Sequence, residues 1–487
     1  MKFILRLFPE ISIKSRPVRN RLIKLLSQNI LNVAKHRAME CHVYSQWDKL
    51  IVRFGEKEDT SMREAAVREL SRIPGIHSFL EVDEFDFKNF DDIFEHAKVI
   101  YGAKLLGKTF AVRVKRRGNH EFTSQQAERI IGGMFKQNFP NNGVDLTHPE
   151  ITINIEIDSE KAFVITGKHA GIGGYPVGSQ GDVLSLISGG FDSGVSTYRA
   201  IRRGCRVNYL FFNMGGTAHE IGVKQESYFI WDRFASSHRV KFITIPFEDI
   251  VGQILERTHH GVRGVILKRM MMRVGSAVAE KIGAAALVTG ESVGQVSSQT
   301  LINLSHIDRA ASSLILRPLV MEDKQDIIDE ATLIGTAGFA ENMPEYCGVI
   351  SDHPNVCPNL SFVEEEEAKM DADLVEKAVA ASRFIDIKEI PEDTKRLKTD
   401  VEIESQLKRG EVVLDVRSPD DAAKSPLKLE DNEIVLMPFY KTAKDFSSLD
   451  QLKTYVLYCD QGVMSLMQAR QLKEMGFHNV KVWRPEI

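Results

Sequence analysis

Apolar positions along this chain follow two periods, and the change between them marks out its parts. Residues 2–8, KFILRLF, read as a strand, and 16–36 as a helix with Arg16, Arg19, Arg21 and Lys24 near its start. A strand is expected around 50–54. A helix over 63–73 should end at Pro74-Gly75. Helices follow at 91–102 and 123–136, and a strand at 109–115 alternates Phe110, Val112 and Val114. Residues 151–157, ITINIEI, alternate strictly, which marks a half-buried strand. Residues 162–166 form another. Six glycines between Gly167 and Gly181 then suggest a hinge.

From Asp182 the rhythm becomes strand, helix, strand. Short, continuously apolar runs lie at 183–187, 207–212, 241–246 and 285–289, with helical stretches at 221–237, 267–281 and 324–334. Unbroken apolar strands alternating with helices predict a parallel sheet covered on both faces. Residues 360–405 are charged and read as a tether. The last 80 or so residues repeat the strand–helix rhythm, with strands at 412–416, 434–436, 455–458 and 480–483.

Candidate chemistry sits at the end of the first parallel strand. Ile187 runs into Ser188-Gly189-Gly190-Phe191-Asp192-Ser193. Such a loop can be a tight turn whose Ser or Asp caps the next helix. It can also be a phosphate cradle, with glycines that let backbone N–H groups approach an anion and a helix N-terminus behind them. Neither of the two commonest phosphate-loop patterns is present. Asp192 beside phosphates makes sense if it meets a metal ion or orients a reacting group. Ligands in parallel sheets bind at the carboxyl ends of strands, where this loop lies.

Charge and cysteine usage narrow the class. The 487 residues carry a net charge of −4, too small for a uniformly charged surface. Its distribution is uneven: residues 1–50 hold ten Lys or Arg against three Asp or Glu, and 361–375 are acidic. The cluster at Arg16–Lys24 and the run Lys115-Arg116-Arg117 could together follow a folded RNA by shape and backbone. Five cysteines without a CxxC spacing argue against a disulfide scaffold or zinc, and fit a reducing, cytoplasmic setting. The N-terminus does not read as a signal peptide, and no apolar run reaches membrane-spanning length. Cys459 closes a strand, with a loop and an amphipathic helix after it, a place that favours a thiolate. Cys347 lies in a loop, MPEYCGV, with no distinguishing pattern of its own.

Together these motifs resemble the tRNA 4-thiouridine synthases, or tRNA sulfurtransferases, over essentially the whole chain. SGGFDS looks like the PP-loop of ATP pyrophosphatases, GIGGYPVG like the family's domain junction, and LDVRS with the Cys459 loop like a rhodanese domain. The resemblance implies a multidomain α/β and α+β chain. It would hold a ferredoxin-like domain (1–62), a THUMP RNA-binding domain (63–168), a hinge (169–181), a PP-loop domain (182–360), a charged linker (361–405) and a rhodanese-like domain (406–487). It implies ATP contacts at Leu186, Ile187, Lys268, Gly290 and Gln299 beside Ser188, Gly189, Gly190 and Ser193, with Mg²⁺. Asp192 would be essential, and Lys324 would lie near the activated intermediate. Cys459 would carry a persulfide and Cys347 resolve it. Implied partners are tRNA, a cysteine desulfurase as sulfur donor and the sulfur-carrier protein of thiazole synthesis. A homodimer is allowed. Met464 stands where many rhodanese loops carry arginine, so thiosulfate chemistry is not implied. Two other functions compete: a small-molecule PP-loop synthetase, which leaves the basic N-terminal region and Cys459 without a task, and a sulfur carrier for thiazole synthesis only, which leaves the PP-loop without one.

Overall fold

The computed structural model describes residues 1–46, 49–55, 60–214, 216–341, 343, 353–396, 401–417, 419–438, 441–442, 445–460 and 462–485. These divide into two units, 1–179 and 180–487. Among the described residues, no helix is long and apolar enough to cross a membrane.

The first unit is built on one seven-stranded sheet. Its strands are β1 (Lys2–Leu7), β2 (Cys41–Gln46), β3 (Lys49–Phe54), β4 (Ile76–Asp86), β5 (Phe110–Arg117), β6 (Ile151–Asp158) and β7 (Lys161–Ala170), in the order β2-β3-β1-β4-β7-β6-β5. The helices Arg16–His36 and Thr60–Arg72 bury Leu22, Leu26, Ala66 and Leu70 against Phe3, Leu5 and Phe79. The helices Phe90–Tyr101 and Ser124–Asn138 bury Ile93, Phe94 and Phe135 against Val112, Val114 and Ile155. Phe79 and Glu81 lie under the first pair, the latter bonded to Arg63 at 2.6 Å. Phe85, under the second pair, stacks on His96. These are alternate residues of one strand, so both helix pairs cover the same face. The other face carries a separate apolar strip of Ile4, Leu80, Val82, Phe163 and Ile165. A domain boundary at residue 62 would cut the helix Thr60–Arg72. Ala66 and Leu70 complete the core around β1 instead.

The second unit opens with a six-stranded sheet of β8 (Asp182–Leu186), β9 (Arg206–Asn213), β10 (Lys241–Pro246), β11 (Ala286–Val288), β12 (Leu314–Leu316) and β13 (Arg383–Asp386). The order is β12-β11-β8-β9-β10-β13, and every pairing is parallel except that of β13 on β10. The chain moves outward from β8 in both directions, so the end of β8 is the point where strand order reverses.

The stretch read as a solvated tether is largely part of this domain. The helices Leu360–Glu367 and Leu374–Ala380 bury Val363, Leu374 and Ala378 in the sheet's core, and β13 closes the sheet edge. Its acidity is matched by partners distant in sequence. Glu367 accepts from the buried Arg269 and from Arg273, and Glu366 from the His259 N–H. A five-stranded, wholly parallel sheet follows: β14 (Ile403–Glu404), β15 (Val412–Asp415), β16 (Ile434–Leu436), β17 (Tyr455–Tyr458) and β18 (Val480–Trp483), in the order β14-β18-β17-β15-β16. Its core takes in Phe339 from the preceding domain, and Gln468 Nε2 donates to Gln225 Oε1 at 3.3 Å in a buried contact.

Candidate active site

The loop after β8 is folded by its own serines. Ser193 Oγ donates to the Gly190 carbonyl at 2.9 Å and lies 3.3 Å from both the Ser188 N–H and its hydroxyl. Gly189 has a φ of +88°, the left-handed region that favours glycine. Gly190 then caps the helix Phe191–Arg202. The Ser188 carbonyl meets His219 Nε2 at 3.0 Å, across the sheet end on the helix Gly216–Phe234. Burial pushes the His219 pKa down, opposed by that hydrogen bond, so the neutral ring donates through Nε2.

Asp192 is the charged centre of the loop. Its Oδ1 accepts from Lys324 Nζ at 2.8 Å and its Oδ2 from Gln295 Nε2 at 2.7 Å. Lys324 opens the helix Lys324–Ile334, which Arg199 ties to the Phe191–Arg202 helix through Glu330, bonding also to Glu322 just before it. Gly290 is required by close approach: a Cβ there would stand 2.6 Å from the Asp192 carbonyl carbon. Gln299 is buried, and its Oε1 accepts the Ser292 N–H at 3.3 Å, bracing the loop that presents Gln295. Leu186 ends β8, Ile187 is buried just after it, and Lys268 lies half-buried on the helix Arg263–Ile282. Ser188, Gly189, Gly190, Asp192, Ser193, Gly290 and Lys324 thus meet at one sheet end. Gln295 completes the set and went unnoticed in the sequence, since an isolated glutamine in a loop carries no pattern.

Among the described residues, no cluster of three His, Cys, Asp or Glu side chains could hold a metal alone. A single carboxylate, Asp192, suits Mg²⁺ only as an ion carried chiefly by substrate phosphates.

Cys459 directly follows β17 and is only 8% exposed. Its Sγ accepts the Ser465 N–H at 3.3 Å from the helix Val463–Glu474 and lies 3.4 Å from the Ser465 hydroxyl. The next residue is anchored. Asp460 accepts from Arg417 at 3.0 Å, and buried Arg417 also clasps both oxygens of Asp415 and lies over the Tyr458 ring. Cys347 falls outside the described residues.

In the first unit, β5 separates the basic run by alternation. Lys115 and Arg117 line a cavity of about 270 Å³ on the open sheet face, with Arg6, Lys49, Glu156 and Asp158. Arg116 turns away and meets the Gly118 carbonyl and His120. Arg6 and Lys49 sit singly on other strands, so they form no cluster in sequence. Arg16 is exposed at the start of its helix, and Arg19 reaches the Ser12 carbonyl at 3.4 Å.

Comparison with known proteins follows the same partition. Residues 2–79 match the ThiI ferredoxin-like domain, 87–166 the THUMP domain, 178–372 the family described as thiamine biosynthesis protein (ThiI), and 399–484 the rhodanese-like domain. The tRNA sulfurtransferase of Tolumonas auensis is 53% identical, with 99% of this chain and all of that one aligned. That of Pectobacterium carotovorum is 52% identical, with both chains covered in full. Among solved structures, a 4-thiouridine synthetase in complex with RNA and bound ATP superposes with a TM-score of 0.71 at 24% identity, covering 79% of this chain and 99% of that one. PH1313 from Pyrococcus horikoshii superposes at 0.53 and 18% identity, covering 69% and 99%.

Proposed function

The chain belongs to the tRNA sulfurtransferase family, and on that premise we propose that it uses ATP to replace the O4 oxygen of a tRNA uridine, at position 8, with sulfur. The observation that carries this reading is the loop at the end of β8, where Asp192 is held between Lys324 and Gln295 beside a glycine cradle. The C4 oxygen of uracil is a poor leaving group. Attack of O4 on the α-phosphorus of ATP releases pyrophosphate and leaves AMP on O4. Backbone N–H groups at Gly189 and Gly190, with the N-terminus of the Phe191–Arg202 helix, would favour the anionic pyrophosphate. Mg²⁺, when bound with the nucleotide, would neutralise phosphate charge, with Asp192 as its protein ligand. Lys324 would stand by the adenylated uridine, and Leu186, Ile187, Lys268, Gly290 and Gln299 would frame the nucleotide.

Sulfur would arrive as a persulfide on Cys459, supplied by a cysteine desulfurase. The Ser465 N–H and the start of its helix favour an anionic sulfur there. The terminal sulfur attacks C4 and AMP departs, leaving a Cys459–S–S–C4 link. The Cys347 thiolate then attacks the Cys459 sulfur. The S–S bond breaks, its electron pair stays with the sulfur on C4, and a Cys347–Cys459 disulfide remains for a dithiol reductant to reset. In the alternative order, Cys347 first reduces the persulfide and the freed sulfide attacks C4. The match to the thiamine biosynthesis family supports a second role, delivery of Cys459 sulfur to the carrier protein of thiazole synthesis. Lys115, Arg117, Arg16 and Arg19 are assigned to tRNA binding; Arg116, read with them in the sequence, is not, because it turns to the opposite face and bonds the Gly118 carbonyl and His120.

Asp192→Ala tests the reading. It should abolish ATP-dependent tRNA thiolation while Cys459 still accepts labelled sulfur from a desulfurase. Normal thiolation by this variant would overturn the PP-loop assignment. Loss of both activities would mean that Asp192 serves folding instead.

A further inference from the structure

Of the residues that follow the Lys324–Ile334 helix, Gly335, Phe339 and Met343 lie against the helix Gly216–Phe234. Gly335 lies against Phe229 and Arg233, the Phe339 ring meets Phe229 at 5.2 Å, and Met343 reaches Gly222 and Gly189. A Cβ added to Gly222 would stand 2.3 Å from Met343 Cε, and one added to Gly189 2.7 Å from Met343 Cγ. Gly189 has a backbone reason to be glycine, its left-handed φ. Gly222 has none. It lies inside a helix, where glycine is less favourable than alanine. The space taken by the Met343 thioether is the reason that remains. His219, three residues earlier on the same helical face, fastens that helix to the Ser188 carbonyl, so both walls of the notch are tied together.

We propose that Met343 is a positioning residue for sulfur transfer: its thioether, seated between Gly189 and Gly222, anchors beside the PP-loop a point of the chain four residues before Cys347. The proposal rests on the sulfur-transfer reading above. Cys347 follows four residues later, and extended chain spans at most ~3.6 Å per residue, so with Met343 seated the Cys347 backbone stays within roughly 14 Å of that point beside the PP-loop.

A double-mutant cycle on the full chain tests this, read as single-turnover thiolation of tRNA at saturating ATP. Met343→Ala should slow transfer by about tenfold or more. The KM for ATP should stay within about twofold, because the seat lies on the sulfur side of the reaction. Met343→Leu conserves volume and should stay within about threefold of the parent. Gly222→Ala should hold or raise the melting temperature through helix propensity, yet slow transfer as Met343→Ala does, because the added methyl evicts the thioether. The two single effects should not multiply in the double variant, since both disrupt the same seat. Parental rates in either single variant, or effects that multiply, would overturn the proposal. A parental enzyme that fails to thiolate tRNA would instead overturn the function on which it rests.

Discussion

Glu226 is fully buried on the helix that carries His219 and Gly222, and among the described residues neither of its carboxylate oxygens is hydrogen-bonded. It faces Gly194, where a Cβ would come within 2.4 Å of its Oε1. Burial pushes its pKa up to about 8. The folded state therefore holds a proton that the unfolded state releases near the ordinary carboxyl value. Its contribution to stability is complete below pH about 4.5 and is lost as pH rises through about 8. Glu226→Gln should flatten the fall in melting temperature across that window, which calorimetry at stepped pH would detect; an unchanged slope would mean the group is ionised in the fold. Gln295 makes a second residue-scale prediction. Among the described residues, it donates one of the two side-chain hydrogen bonds that hold the Asp192 carboxylate. A hydrogen bond to a charged group contributes ~1.5–3 kcal/mol, so Gln295→Ala should lower kcat by about ten- to a hundredfold. Its melting temperature should fall by no more than several degrees, since the same bond also supports the fold; an unchanged kcat would remove Gln295 from the site. The Ser-Gly-Gly-Phe-Asp-Ser loop was legible because its chemistry is contiguous. Gln295 was not, because its partner lies 103 residues away.

At the scale of elements, strand alternation decides which charges act together. Lys115 and Arg117 share the open sheet face with Arg6 and Lys49, whereas Arg116 lies on the opposite face beside His120. Lys115→Ala with Arg117→Ala should weaken tRNA binding and lower its salt slope by at most ~0.9 for each duplex phosphate that is no longer neutralised. Arg116→Ala should leave both unchanged. Filter-binding titrations at stepped salt separate the two, and equal losses would show that the run acts as one patch. The alternation of 109–115 was plain in the sequence, yet the three basic residues read as a unit because they adjoin. The stretch 361–405 misled for a related reason. Its glutamates look solvated in a local window, but Arg269 and Arg273, some 95 residues earlier, supply their counter-charges. Short β12 and β13 gave no signal either: three or four residues fall below the length at which a period can be seen.

At the scale of the second unit, the burial of Cys459 bears on the proposed turnover. The rhodanese-like domain packs on the PP-loop domain through Phe339 and the Gln225–Gln468 hydrogen bond, and Cys459 itself is buried within its core. The parallel rhythm, the site at the end of β8 and the terminal domain were all legible, because each rests on local periodicity. The docking was not, because Phe339 and Gln468 look ordinary until they meet another domain. As the proposed persulfide carrier, Cys459 must nevertheless be reached by a donor, and the proposed disulfide requires Cα atoms within about 7 Å. Burial therefore predicts two measurable states. In the resting enzyme, iodoacetamide should label exposed Cys357 faster than Cys459. During turnover with ATP, tRNA and a sulfur donor, Cys459 should open to labelling. After a single turnover without reductant, peptide mapping should recover a Cys347–Cys459 disulfide that is absent when ATP or tRNA is left out. If Cys459 labels as fast at rest as Cys357, the domain need not open for sulfur loading. If it pairs with Cys357 or with nothing, the resolving role given to Cys347 is wrong, and sulfur must leave Cys459 by another route.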